Sequence, residues 1–236
     1  MIMPGKNFLL TGHRGAPVLE PENTLPSFLK AVECGATGIE FDVRITKDGI
    51  PVISHDDELE RTLGTNQKIS ETTYPELLRL SIQGKAKIPT LREVLALAKG
   101  RLSVDIELKV TGAEREVVDA IRELEMIDDA IVTSFIPEAI RRVKNLEPRL
   151  SIGVLLEEWD DEYLEIARNL GAEAILPYYE TLDEDLVSKI KSNGYKIITW
   201  TVDDPSTAQK LLDMGIEGII TNNPCALRHI LHKKSP

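Results

Sequence analysis

Positive charge, long apolar runs, cysteine and histidine are all scarce in this chain, and each shortage narrows what it can be. Lysine and arginine number 28 against 39 aspartates and glutamates, a net charge of −11. That balance disfavours a broad electrostatic footprint on nucleic acid or an anionic membrane, so any anionic ligand must be met by a local cluster of cations. No run approaches the roughly 18 apolar residues of a membrane span, and Met1-Ile2-Met3-Pro4-Gly5-Lys6 lacks the apolar stretch of a signal peptide. The expectation is a cytoplasmic protein with no integral membrane association. Cys34 and Cys225 lie far apart in or beside apparent helices and read more readily as small buried hydrophobes in a reducing compartment than as a disulfide.

What is present is alternation. In 236 residues, 42% of them hydrophobic, β-branched runs at 8–12, 38–43, 103–108, 130–134, 151–156, 174–177, 196–202 and 218–221 are separated by helical periodicity. Leu25, Phe28, Leu29 and Val32 fall at i, i+3, i+4 and i+7 behind a capping candidate in Asn23 or Thr24. Asp204-Pro205 opens another helix and Gly215 closes it. Eight strand–helix units argue for an α/β protein with a (β/α)8 TIM barrel spanning 1–236 as one domain; an open doubly wound sheet is the rival. The count closes at eight only if 46–89 is a small insertion after the second strand, opened by Lys47-Asp48-Gly49 and a short strand at 51–54. In such barrels the chemistry sits at the carboxyl ends of the strands, so the insertion overhangs the site.

The chemistry-bearing residues fall at that end. Within Ile39-Glu40-Phe41-Asp42-Val43, strand alternation puts Glu40 and Asp42 on one face. Two adjacent buried carboxylates repel each other and demand a cation or a proton. Asp105, Glu107 and Lys109 alternate along the third strand. Glu40, Asp42 and Glu107 together make an all-oxygen site for a hard divalent cation, Mg²⁺, Ca²⁺ or Mn²⁺. The alternative is a salt-bridge network with Arg44, Arg14 and Lys109. A metal with Arg14 and Lys109 forms a cationic pocket suited to a phosphate or another oxyanion.

Only four histidines exist, and two of them, His13 and His55, fall beside the carboxylates as candidate general acid and base. The alternative for His13 is a loop residue ahead of Gly15. His229 and His232 belong to a polar tail and read as surface residues. Trp200 offers a flat wall for a substrate's carbon skeleton or else packs in the core, with Phe135 and Tyr178 open to the same reading. Ser134 lacks a nucleophile elbow and reads as a structural hydroxyl.

Taken in order, His13-Arg14-Gly15, Pro21-Glu22-Asn23-Thr24, Gly38-Ile39-Glu40-Phe41-Asp42-Val43, Thr46-Lys47-Asp48-Gly49, His55-Asp56 with Leu59 and Arg61-Thr62, Glu107-Leu108-Lys109 and Trp200-Thr201-Val202 closely resemble the glycerophosphodiester phosphodiesterase family. The resemblance implies a barrel enzyme that uses a divalent metal ion to cleave glycerophosphodiesters, the deacylated phospholipids, to glycerol phosphate and an alcohol. Carried onto this chain, His13 and His55 are the acid–base pair, Glu40, Asp42 and Glu107 the metal ligands, Arg14 and Lys109 the phosphate contacts. It further implies that the insertion helps to recognise glycerol. One departure is Asp203, where the family often has Asn. On the loop past its strand, this acid is expected to bear on cationic alcohols such as choline or ethanolamine.

Two other readings remain. One takes Lys109 as a Schiff-base lysine of an aldolase-like barrel, although Glu107 beside it favours the charged amine. The other is a non-catalytic barrel that binds glycerophosphodiesters or a protein partner.

Overall fold

The computed structural model describes residues 9–80, 82, 84 and 86–229. Its strands are β1 (Leu10–His13), β2 (Gly38–Ile45), β3 (Pro51–Ile53), β4 (Ser103–Leu108), β5 (Ala130–Ser134), β6 (Ser151–Leu156), β7 (Ala174–Pro177), β8 (Lys196–Thr199) and β9 (Gly218–Thr221). Parallel pairing runs β1-β2-β4-β5-β6-β7-β8-β9 and returns from β9 to β1, closing an eight-stranded barrel. β3 lies outside that ring, antiparallel to the end of β2 through Val43 opposite Ile53. The open doubly wound alternative is thereby excluded.

Helices cover the outside: α1 (Leu25–Glu33), α2 (Glu60–Leu63), α3 (Tyr74–Leu77), α4 (Leu91–Ala98), α5 (Glu114–Glu123), α6 (Pro137–Leu146), α7 (Glu162–Leu170), α8 (Glu184–Ser192), α9 (Pro205–Asp213) and α10 (Pro224–Leu227). Among the described residues, no helix is long and apolar enough to cross a membrane. Local chemistry sets several starts. Thr24 caps α1 by accepting from the Ser27 amide, and Asp204 caps α9 by accepting from the Thr207 amide at 2.8 Å. Asn23, the other candidate for α1, is turned instead towards Asp42.

Strand alternation sorts the core into two layers. Ile39, Phe41 and Val43 join the helices, with the rings of Phe28 and Phe41 edge to face at 5.8 Å, while Glu40 and Asp42 face the barrel interior. Ile131, Leu155, Leu176, Ile198 and Ile220 fill that interior as a separate cluster. The filling is tight enough that a Cβ at Gly153 would lie 2.5 Å from Leu176 Cδ1. Residues after β2 build a small core of their own from Val52, Leu59, Ile69, Leu77 and Ile88, so the expected insertion is a packed substructure.

The structure corrects three expectations. β8 stops at Thr199, and Trp200 follows it in a single bridge to Tyr178. β1 begins at Leu10; Phe8, like Met1 to Lys6 and His232, lies outside the described residues. Cys34 and Cys225 form a disulfide, their Cα atoms 4.4 Å apart across 191 residues of sequence. Barrel closure explains the miss. β9 pairs with β1, which brings α10 to the cap of α1, a proximity that sequence separation hides. The argument for a reducing compartment from unpaired thiols falls with it.

Candidate active site

The turn after β1 is built around an uncommon backbone. Arg14 has φ +52° and Gly15 φ +91°. A Cβ at Gly15 would sit 2.4 Å from Ser27 Oγ, so that position accepts only glycine. Arg14 is held left-handed by three hydrogen bonds: its amide donates to Glu40 Oε2 at 2.9 Å, and its carbonyl accepts from the Asn23 amide at 3.0 Å and from Ser27 Oγ at 2.9 Å. These contacts fix His13 and the Arg14 guanidinium at the barrel rim.

Glu40 and Asp42 on β2 stand opposite Asp105 and Glu107 on β4. Oxygens of Glu40, Asp42 and Glu107 converge within 4.8 Å of one another. Glu40 Oε1 and Asp42 Oδ1 are buried without a hydrogen-bond donor, the condition that a bound cation would relieve. Burial, then the charges of Asp42, Glu107 and Asp105, push Glu40 well above the usual carboxylate range. Burial and the charge of Asp42 likewise raise Glu107 to about 7. This buried acidic cluster can hold a metal ion. Asp105 is also buried, and its burial raises it to about 7, but its Oδ1 accepts from Thr133 Oγ1 at 2.7 Å and it stands apart from the converging three.

Part of the alternative salt-bridge network is realised around the same acids. Lys109 Nζ lies 2.7 Å from Glu107 Oε1 and 3.6 Å from Asp42 Oδ1, and Arg14 Nε lies 3.3 Å from Asp42 Oδ2. Arg44 takes no part; its Nε donates to the His55 carbonyl at 2.8 Å and pins that residue's backbone. Arg14 Nη1 continues to Glu22 at 3.0 Å, Glu22 to Arg61 at 2.7 Å, and Arg61 Nε to Asp56 at 2.6 Å. The line of charges ends at His55, whose Nδ1 is 2.7 Å from Asp56 Oδ1. Burial alone would raise Asp56; hydrogen bonds from His55 and Arg61 outweigh it and leave the acid below its ordinary value.

His13 is anchored on its other side. Its Nδ1 is 2.7 Å from Asn222 Oδ1, while Nε2 points towards Glu40 Oε2 at 3.9 Å. Burial and the Arg14 charge lower its pKa, which favours the neutral ring. Both histidines therefore bind through Nδ1 and leave Nε2 for the pocket they share, a cavity of about 260 Å³. Phe135 and Trp200 wall its far side with rings 5.7 Å apart, Tyr178 backing Trp200 at 5.5 Å. Ser134 is structural, its hydroxyl donating to the Leu108 carbonyl at 2.6 Å. His229 is exposed.

Residues 13–226 match the glycerophosphoryl diester phosphodiesterase family. A glycerophosphodiester phosphodiesterase of Caldanaerobacter subterraneus subsp. tengcongensis is 34% identical over 95% of this chain and 98% of its own length. The chain belongs to the glycerophosphoryl diester phosphodiesterase family, and so to the phosphoric diester hydrolases. Solved structures agree in fold. An Oleispira antarctica phosphodiesterase in complex with the product sn-glycerol-3-phosphate superposes with a TM-score of 0.87 at 29% identity, over 95% of this chain and 96% of that one. A Thermotoga maritima glycerophosphodiester phosphodiesterase gives 0.78 at 29% identity, over 94% and 98%.

In this family member the structure gathers His13, His55, Glu40, Glu107, Arg14, Lys109 and Trp200 around one pocket, with Asp42 beneath them. Sequence reasoning gave no role to Glu22, Asp56, Arg61, Asn222 or Thr133, and offered Asn23 only as a helix cap. Glu22, Asp56 and Arg61 stood inside the quoted motifs, where charged residues of both signs were the available signal. Asn222 had none, being 209 residues from the ring it touches. Asp203, exposed on the loop past β8, accepts from Thr221 Oγ1 at 2.9 Å and from the Asn222 amide and side chain at 2.7 and 2.8 Å.

Proposed function

We propose that this chain, working as one barrel domain, hydrolyses glycerophosphodiesters to glycerol phosphate and an alcohol, using His13 and His55 as its acid–base pair. The reading rests on one observation: two orphaned carboxylate oxygens, Glu40 Oε1 and Asp42 Oδ1, lie beside a pocket lined by two imidazoles that are each tethered at Nδ1. Glu40, Asp42 and Glu107 would hold a divalent cation, Mg²⁺ or Ca²⁺, in keeping with their all-oxygen set; such an ion supplies Lewis-acid polarisation of phosphate oxygens. The relative solved with sn-glycerol-3-phosphate, a product of this class, supports the substrate assignment.

The chain's own residues divide the remaining work. Arg14 and Lys109 bring positive charge to the rim, where a phosphoryl group gains negative charge in the transition state. His13, kept neutral by burial, is suited to take a proton at Nε2. His55, carried on the insertion and steadied by Asp56 and Arg44, would return one to the departing alkoxide. Trp200 and Phe135, their rings nearly perpendicular at 85°, offer an apolar corner to the substrate's carbon atoms.

The test is direct. Purified protein incubated with glycerophosphocholine and Mg²⁺ or Ca²⁺ should give glycerol phosphate by ³¹P NMR, and EDTA should stop the reaction. Full turnover in EDTA would refute the metal, formation of phosphocholine would refute the bond assigned to cleavage, and no reaction with any glycerophosphodiester would leave the non-catalytic barrel as the better reading. A borohydride-trapped adduct on Lys109 would revive the Schiff-base alternative.

A further inference from the structure

His13 does not stand alone on Asn222. The Asn222 side chain spans from His13 Nδ1 on one side, at 2.7 Å, to Asp203 Oδ2 on the other, at 2.8 Å. Asp203 is itself fixed, because its Oδ1 accepts from the Asn222 backbone amide at 2.7 Å and from Thr221 Oγ1 at 2.9 Å. A carboxylate only accepts, so the Asn222 atom facing Asp203 must be the NH₂ group. The atom facing His13 is then the carbonyl oxygen, which also only accepts. His13 Nδ1 must therefore carry the hydrogen, and Nε2 must present the lone pair. This conclusion follows from donor and acceptor chemistry along the line, whichever way an amide is drawn.

We propose that Asp203 and Asn222 are positioning residues that fix His13 as the Nδ1–H tautomer, so that its basic nitrogen faces the pocket. The proposal rests on the reading of His13 as a proton-transfer group and adds the device that selects its working tautomer. Neither residue touches the reacting atoms. His55 reaches the same state by a shorter route, with Asp56 directly on Nδ1. The two imidazoles are thus matched in orientation but tethered by different chemistry, one to an anion and the other to a neutral amide whose direction an anion dictates.

The arrangement has an unusual consequence for mutation. In Asp203→Asn the new NH₂ would face the NH₂ of Asn222, two donors without an acceptor. Asn222 would turn over to relieve this, present its own NH₂ to His13, and force the hydrogen onto Nε2. Asp203→Ala only frees Asn222 to rotate. The isosteric variant should therefore be the more damaging one, the reverse of what a packing or stabilising role would give. Expected losses in kcat are about 10²-fold or more for Asp203→Asn and about tenfold for Asp203→Ala, with KM nearly unchanged in both. The exchange Asp203→Asn with Asn222→Asp rebuilds the polarity of the line, since the amide brought to position 203 can donate to the carboxylate brought to position 222, and that carboxylate can accept from His13. It should recover kcat to within about tenfold of the wild type.

Tautomers can be read without turnover. Long-range ¹⁵N–¹H correlation spectra of protein labelled at the imidazole nitrogens should show His13 as Nδ1–H in the wild type and in the exchanged double variant, and as Nε2–H in Asp203→Asn. Persistence of Nδ1–H in Asp203→Asn, or a kcat for Asp203→Ala below that of Asp203→Asn, overturns the proposal. If Asp203→Asn does not fold, the double variant carries the test: it must fold and keep Nδ1–H, and failure of either overturns the proposal. A wild type that shows the expected tautomers but cleaves no glycerophosphodiester would refute the proposed function and leave the tautomer device standing.

Discussion

The Lys109 ammonium sits 2.7 Å from Glu107 Oε1, on the same strand line and the same face of the barrel. Strand alternation produces the pairing, since residues two apart share a face. It also weakens the Schiff-base reading, because an amine committed to an ion pair is the opposite of the unpaired, desolvated lysine that such chemistry uses. One ammonium does not satisfy the cluster. Glu40 Oε1 and Asp42 Oδ1 remain without hydrogen bonds beside it.

The first prediction concerns that cluster. Replacing Glu40 or Glu107 by Gln removes a charge that water cannot replace, so metal affinity should fall by at least about 10-fold and turnover at ordinary metal concentrations should be lost. Raising the metal concentration should restore part of it. Calorimetric metal titration of each variant checks the claim, and wild-type affinity in both would remove them as ligands.

The two histidines should differ in their dependence on the leaving group. Each contributes on the order of 10²- to 10⁴-fold as a proton-transfer group, so His13→Ala and His55→Ala should both lose at least that much kcat on glycerophosphocholine. A p-nitrophenolate leaving group needs no proton. His55→Ala should therefore keep far more relative activity on a p-nitrophenyl ester, while His13→Ala is impaired alike on both. The reverse pattern would exchange the roles.

Reducing the Cys34–Cys225 bond should lower the melting temperature. A crosslink closing a loop of 191 residues restricts the unfolded chain, and a typical contribution of about 2–4 kcal/mol corresponds to roughly 5–15 °C for a chain of this size. Calorimetry with and without a phosphine reductant, with Cys34→Ser as the control, measures it. Titration of two free thiols in the untreated protein would contradict the bond.

Stability on the acid side should depend on Glu147. Hydrogen bonds from Arg149 and then Arg122 hold this buried carboxyl at about 2, against an ordinary 4.5. A group depressed on folding stabilises the fold above its unfolded pKa, and that contribution is lost as the pH falls through the folded one. Glu147→Gln should thus melt below the wild type at neutral pH, and the gap should narrow between pH 4.5 and 2. A gap that stays constant over that window would show that the ionised carboxylate is not the source.

Sequence alone determined the eight strand–helix units, the insertion and the carboxylate cluster, because these follow from local periodicity. Strand alternation places Glu40 with Asp42 and Glu107 with Lys109, and eight β-branched runs count out eight strands without any knowledge of their neighbours. Strand ends were less legible: Trp200 looks like strand in sequence, but it keeps only a single bridge to Tyr178, with its indole donating to the Leu176 carbonyl. Only the tertiary structure decided the disulfide, the charged line from Asp42 through Arg14, Glu22 and Arg61 to His55, and the hold of Asn222 and Asp203 on His13. These contacts join residues up to 209 positions apart. The disulfide and the hold on His13 exist because the last strand pairs with the first, the charged line because the insertion folds back over the turn after β1, and ring closure is a property of the whole chain that no local pattern encodes.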